Sequence, residues 1–187
     1  MPPKTRYTPE AVLAAAIEVV RRDGLRAVSA RSVAKELGSS TAPVTGAFPT
    51  MQQLVTAVVD HLLSELVLQV EAAEGHDPLR AAAYAFARFT ADTPSFYEAL
   101  FLLPHEAPPD WVRVRRSFAE RLDRSERFRH LGPRQLDALA WRASVVTHGI
   151  CIELWSGRWD RTEEPALRRL VDELVEPVTA AFVAGQG

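Results

Sequence analysis

The sequence predicts an all-α protein, with three short helices at the N-terminus and a larger helical body behind them. Three observations predict it. Ala, Leu, Arg and Glu dominate between the turn-forming residues, and the apolar–polar alternation of a half-buried strand is absent. Proline just inside a helix start recurs, in Thr8-Pro9-Glu10, Thr93-Pro94 and Gly132-Pro133. Apolar residues also return at helical spacing, as in Val12, Leu13, Ala16, Val19 and Val20.

Taken in order, Thr8 offers a hydroxyl cap to the first helix, and Glu10 faces the positive end of its dipole. Asp23-Gly24 supplies a left-handed stop. Ser29 can cap a short second helix carrying Val33, Ala34 and Leu37, closed by Gly38. Ser40 can cap a third, with Pro43 in its first turn, where the missing N–H costs little. Phe48-Pro49 ends it. Thr50-Met51-Gln52-Gln53 has capping-box spacing and opens a long helix, 51–73, that joins a domain at 1–50 to one at 51–187. Gly75-His76-Asp77-Pro78 then turns the chain into a helix carrying Phe86 and Phe89, and Thr93-Pro94 opens a short one with Phe96, Tyr97, Leu100 and Phe101. Residues 104–109 hold three prolines and read as a loop. A charged amphipathic helix is expected from Trp111 to about Phe128, a long one from Gly132-Pro133 to about Trp155, and the last from Glu164-Pro165 to about Val183.

The balance of 47% apolar and 25% charged residues is that of a folded chain rather than a disordered one. The apolar runs are broken by charge or proline, the N-terminus is polar, and Cys151 has no partner for an internal bridge. The expected address is therefore the cytoplasm, with no membrane partner. Charge is unevenly placed. Residues 1–50 hold seven basic and four acidic residues, and the remainder fifteen basic and twenty acidic, a basic head on an acidic body.

Three short helices with a tight Gly38 turn between the second and third meet the requirements of a helix-turn-helix, whose third helix must be slim enough for a major groove about 12 Å wide. The order of residues is more specific. Ala15-Ala16-Ile17-Glu18, Gly24-Leu25, Val28-Ser29-Ala30, Val33-Ala34-Lys35-Glu36-Leu37-Gly38, Ser40-Thr41-Ala42-Pro43-Val44, Phe48-Pro49-Thr50 and Leu54 closely resemble the N-terminal domain of the TetR family, over residues 8 to about 60. Beyond that the likeness is one of architecture, with Trp141 and His148-Gly149 similar to a Trp/His-Gly motif in one group of the family. The resemblance implies a homodimeric regulator that binds a pseudo-palindromic operator in double-stranded DNA, most simply a repressor, released by a small-molecule inducer. The two recognition helices must then sit about 34 Å apart to meet successive major grooves. Inducer binding would shift the fourth helix and spoil that spacing.

The sequence also departs from the family. Thr45 stands where an aromatic phosphate contact is usual, Gly46 and Ala47 follow it, and Met51 stands in place of a lysine at the start of the fourth helix. The third helix holds no Lys, Arg, Gln or Asn. Base contacts would fall to Thr41, Thr45 and the apolar surfaces of Ala42, Pro43 and Val44, which suit thymine methyls or single acceptors. Lys4, Arg6, Tyr7, Arg31, Ser39, Ser40 and Thr50 would serve the phosphates. This thin set leaves open an alternative, a TetR-like sensor of a small molecule or protein with little or no DNA binding.

In the body, the resemblance implies an inducer cavity among helices five to eight, and aromatic residues concentrate there. The candidate wall is Phe86, Phe89, Phe101, Trp111 and Phe118, with the stripe Trp141, Val145, His148 and Ile152 of the eighth helix, and His148 as its polar anchor. Leu139, Ala143, Val146, Ile150 and Leu154, with Leu167, Leu170, Val171, Leu174, Val175 and Val178, give the last two helices more apolar surface than one core requires. Pairing them with their symmetry mates makes a four-helix bundle and a homodimer. For an enzyme the sequence offers no phosphate-cradling Gly-rich loop and no Gly-x-Ser-x-Gly elbow. His61, His76, His105, His130 and His148 lack paired zinc spacing, so no cofactor or metal is expected.

Overall fold

The computed structural model describes residues 7–106 and 109–185, apart from the side chains of Arg115 and Ser117. Among the described residues there are nine α-helices and no strand: α1 (Pro9–Asp23), α2 (Ala30–Glu36), α3 (Ala42–Ala47), α4 (Met51–Ala72), α5 (Pro78–Asp92), α6 (Pro94–Tyr97), α7 (Trp111–Asp123), α8 (Pro133–Trp155) and α9 (Glu164–Ala184). A π-helical turn, Glu98–Leu102, continues α6. The chain forms two compact units, one within Met1–Leu63 and Ser95–Pro109, the other within Ser64–Pro94 and Asp110–Gly187. The division falls inside α4.

In the first unit, capping decides where helices begin. The Thr8 hydroxyl accepts from the Ala11 amide at 3.3 Å, and Glu10 sits in the first turn of α1. Backbone and Thr8 hydrogen bonds hold the Glu10 carboxyl below its ordinary range. Ser29 and Ser32 form a reciprocal capping box on α2, the Ser32 amide donating to Ser29 Oγ at 3.1 Å and the Ser29 amide to Ser32 Oγ at 2.9 Å. Beyond α2, Gly38 takes φ +63°, the Ser39 amide donates to Ala34 O at 2.9 Å, and the Gly38 amide donates to Lys35 O at 3.1 Å. These two bonds are a Schellman closure, which needs a left-handed residue and so favours glycine.

The start of α3 differs from the sequence expectation. Its N-cap is Thr41, not Ser40, and no side chain caps it. Thr41 is already helical, at φ −72° and ψ −14°, so its hydroxyl is not in the extended geometry that reaches the first free amides. Pro43, in the first turn, has no amide to satisfy. The expected box on α4 is present: Gln53 N donates to Thr50 Oγ1, and Thr50 N to Gln53 Oε1, both at 3.2 Å. Val12, Ala16, Val19, Val20, Val33, Ala34, Val44 and Leu54 form the buried core that holds α1–α3 and the start of α4 together.

In the second unit, α5 packs against α8 and α9, and α7 against α8. Asp77 caps α5, its Oδ1 accepting from the Leu79 and Arg80 amides at 2.9 and 3.0 Å. Its other oxygen accepts from Arg127, which also binds Glu176 at 2.8 Å. The helix expected to reach Phe128 ends at Asp123. From there, i to i+3 backbone bonds (Ser125 to Leu122, Phe128 to Ser125, Leu131 to Phe128) wind the chain more tightly. That winding buries Phe128 and Leu131 and carries Arg127 to Asp77. α4 is long and apolar enough to cross a membrane by composition, but Leu54, Val58, Val59, Leu62, Leu63, Leu66, Val67 and Val70 are buried within the protein.

Candidate nucleic-acid interface and the interior of the helical body

The first unit presents α3 to solvent by its edge and fixes it by one side chain. Val44 is 1% exposed and anchors the helix to the core, whereas Thr41, Ala42, Thr45 and Gly46 are exposed and Pro43 is half-buried. Val44 is therefore withdrawn from any base-facing role. The Thr45 hydroxyl lies 3.3 Å from both Thr41 O and Ala42 O, to which it donates.

Several other expected contact residues are engaged within the protein. Tyr7 Oη donates to Leu37 O at 3.2 Å, tying the chain before α1 to the end of α2. Ser39 Oγ donates to Ser40 O at 2.9 Å. The Thr50 amide is taken by Gln53, leaving the Thr50 hydroxyl proton for a partner. Ser40 is exposed. Lys4 and Arg6 lie outside the described residues.

The cations of this unit divide into two groups. Arg21 pairs with Glu18, and Arg22 with Asp23 and Glu36, at 2.8–3.4 Å. Arg26, Arg31 and Lys35 are exposed and, among the described residues, make no ion pair. Arg31 and Lys35 are four residues apart on α2 and so share one of its faces. Sequence reasoning singled out Arg31 and passed over Lys35 and Arg26. The i, i+4 spacing on a helix that should cross the phosphate backbone was the signal available for Lys35.

In the second unit, Phe86 and Phe118 come together. With Leu66, Val67, Val70 and Val114 they line an apolar cleft of about 10 Å³, room for roughly one water. Phe89 is buried as well, and His148 is half-buried with its ring edge-on to Phe86, centroids 5.0 Å apart. Burial holds the His148 imidazole below its ordinary pKa, so it is neutral at pH 7. Cys151 donates toward Phe86 O at 4.0 Å, and burial pushes its thiol up to about 12. Thr90 and Thr147 are buried, with their hydroxyls bonded to carbonyls one turn earlier in their own helices.

The remaining candidates for the cavity wall do not line that cleft. Trp141 and Val145 are 63% and 53% exposed on the outer face of α8, Trp111 is partly exposed, and Ile152 is half-buried. Phe101 belongs to the first unit, stacked at a tilt on Tyr97 with centroids 5.1 Å apart. The residues expected to be surplus to one core, Leu139, Ala143, Ile150 and Leu154, are instead buried within the chain. α8 is apolar on two sides, and the side bearing the two tryptophans Trp141 and Trp155 is the one left outside. Among the described residues, no group of three or more His, Cys, Asp or Glu side chains is placed to hold a metal ion.

No family model matches the chain. Over 71 residues it is 37% identical to the HTH-type nicotine-responsive transcriptional repressor HdnoR of Paenarthrobacter nicotinovorans, a stretch covering 37% of each chain. The match thus spans little more than a third of that relative's length. The fold is shared over far more of the chain. A TetR-family transcriptional regulator from Streptomyces coelicolor superposes with a TM-score of 0.70 at 17% identity, covering 94% of this chain and 82% of that one. This is the TetR fold. BioQ, solved with its double-stranded DNA operator, shares the TetR fold over 91% of this chain and 99% of its own, with a TM-score of 0.57 at 20% identity.

Proposed function

We propose that the chain is a TetR-type DNA-binding transcriptional regulator, a homodimeric repressor of the cytoplasm released from its operator by a small-molecule inducer. The observation that carries this reading is α3. It is held to the core by Val44 and set off by the left-handed Gly38 turn, and its other face is left to solvent. Beside it, α2 offers Arg31 and Lys35 on one face without competing carboxylates. A slim exposed helix next to unpaired cations suits a major groove flanked by phosphates. Arg31, Lys35, Ser40 and the Thr50 hydroxyl are assigned to phosphates, and Thr41, Ala42, Pro43 and Thr45 to the groove.

The dimer is assigned to the outer faces of α8 and α9. Trp141, Val145, Trp155 and Leu174 are 63%, 53%, 38% and 44% exposed, an apolar surface that a lone soluble chain seldom leaves to water. A two-fold axis across it lets the same patch on the two copies cover one another. The inducer is assigned to the interior around Phe86, Phe118 and His148, which must widen beyond its present 10 Å³ to admit a ligand.

One observation favours the rival reading, a sensor with little DNA binding: α3 presents no cation and no amide side chain. Selection of bound sequences from random duplex DNA at two salt concentrations separates the two. A repressor enriches a pseudo-palindrome whose affinity falls steeply with salt. A folded dimer that enriches nothing overturns the repressor reading and favours the sensor.

A further inference from the structure

The exposed edge of α3 also restricts which base edges it can read. Thr41, Ala42, Pro43, Thr45 and Gly46 make up that edge, and none carries a side-chain N–H group. Guanine is ordinarily met by two donors aimed at N7 and O6, and adenine by an amide that gives and takes one hydrogen bond at N6 and N7. Neither pairing is available from α3. The one hydroxyl in the middle of the helix, on Thr45, is turned to Thr41 O and Ala42 O, so its proton is used within the helix. With Oγ1 against the backbone, the outward group of Thr45 is its γ-methyl. Ala42 adds a second exposed methyl and Pro43 a half-buried ring edge.

We propose that α3 reads the 5-methyl groups of thymine by van der Waals contact, so that each half-site is specified by T·A pairs rather than by guanine. The inference rests on the DNA-binding reading above. Thymine alone among the four bases carries a methyl in the major groove, and a surface of methyls without N–H donors, apart from the Thr41 hydroxyl at its start, is its complement. The Gly38 turn and the Val44 anchor hold that surface in one place, as contacts lacking hydrogen-bond direction require.

The test begins with a duplex selected by the full-length protein. Each thymine is replaced in turn by deoxyuridine, which removes the methyl and leaves base pairing intact, and Kd is measured at fixed salt. One to three positions in each half-site should lose about fourfold, the worth of burying one methyl at ~0.8 kcal/mol. Replacing such a T·A pair by 5-methylcytosine·G should lose less than replacing it by C·G. Thr45→Ser keeps the hydroxyl and removes the methyl, and should bind thymine and uracil equally at one position. Thr45→Val keeps the methyl and should still discriminate. If every uracil duplex binds within about 1.5-fold, while 7-deazaguanine causes the principal loss, the readout is by guanine and the proposal is overturned. If the protein selects no duplex and shows no salt-dependent retention on bulk DNA, the DNA-binding reading fails and takes this one with it. That outcome is distinct, because it leaves no duplex to substitute.

Discussion

The exposed edge of α3 and the outer face of α8 are both left to solvent, by opposite chemistry. α3 shows small side chains and, at Thr45, a hydroxyl satisfied by its own backbone, whereas α8 shows two tryptophans and a valine. Small groups cost little in water, so the α3 surface is stable uncovered, as the transient DNA contact proposed for it requires. Large apolar groups do not have that freedom, and Trp141 at 63% exposure suits the standing partner that the proposed dimer would supply. On the proposed function, exposure in this protein thus has two meanings, a surface that visits its partner and one that stays with it.

That contrast can be broken at several points. The largest effect concerns neither surface but the body that supports α8. Asp77→Ala removes the α5 cap and leaves Arg127 with Glu176 alone, and should lower unfolding free energy by about 2–3 kcal/mol in urea titrations. Asp77→Asn, which keeps an acceptor for the cap, should lose roughly half as much. Trp141→Glu should then weaken the dimer about thirtyfold, ~2 kcal/mol, by sedimentation, with the helical spectrum of the monomer retained. A dimer indifferent to this change would place the interface elsewhere. Gly38→Ala meets no atom within 4 Å but forces a side chain into φ +63°, and should cost about 1 kcal/mol of stability. Ser29→Ala should cost about the same through the lost cap.

The smallest expected effect is one of pH. His148 has its pKa lowered by burial, so the unfolded chain binds a proton more readily than the folded one. Stability is full above the ordinary histidine range and falls as pH drops through it. His148→Gln should flatten that part of the stability–pH curve, and an unchanged slope would assign it to other groups.

How much of this was legible from the sequence depended on the range of the forces involved. The caps at Thr8, Ser29 and Thr50 and the stop at Gly38 rest on bonds within a few residues, and they could be read directly. Ser40 misled because the residue after it is already helical, a matter of φ and ψ rather than of residue type. The early end of α7 goes with the burial of Phe128 and with Arg127 finding partners 50 and 49 positions away at Asp77 and Glu176. The two apolar sides of α8 satisfy the helical period equally well. Only packing decides that Leu139, Ala143, Ile150 and Leu154 turn inward while Trp141 and Val145 turn out. The free cations on α2 were visible as letters, but which arginines were already paired was not.

Arg121 of α7 has a mechanical consequence. Its guanidinium donates to Val70 O at 3.2 Å, to Glu71 O at 3.0 Å, to Ala73 O, and through Nε to Pro78 O at 3.1 Å. Two of these oxygens belong to the last turn of α4, whose carbonyls have no partner of their own within the helix. A planar fork with five donors can satisfy such a cluster, and a lysine ammonium, with three, cannot reach it in the same way. The joint between α4 and α5 is therefore riveted rather than hinged. Moving α7 away from the end of α4 in this unit means breaking these bonds.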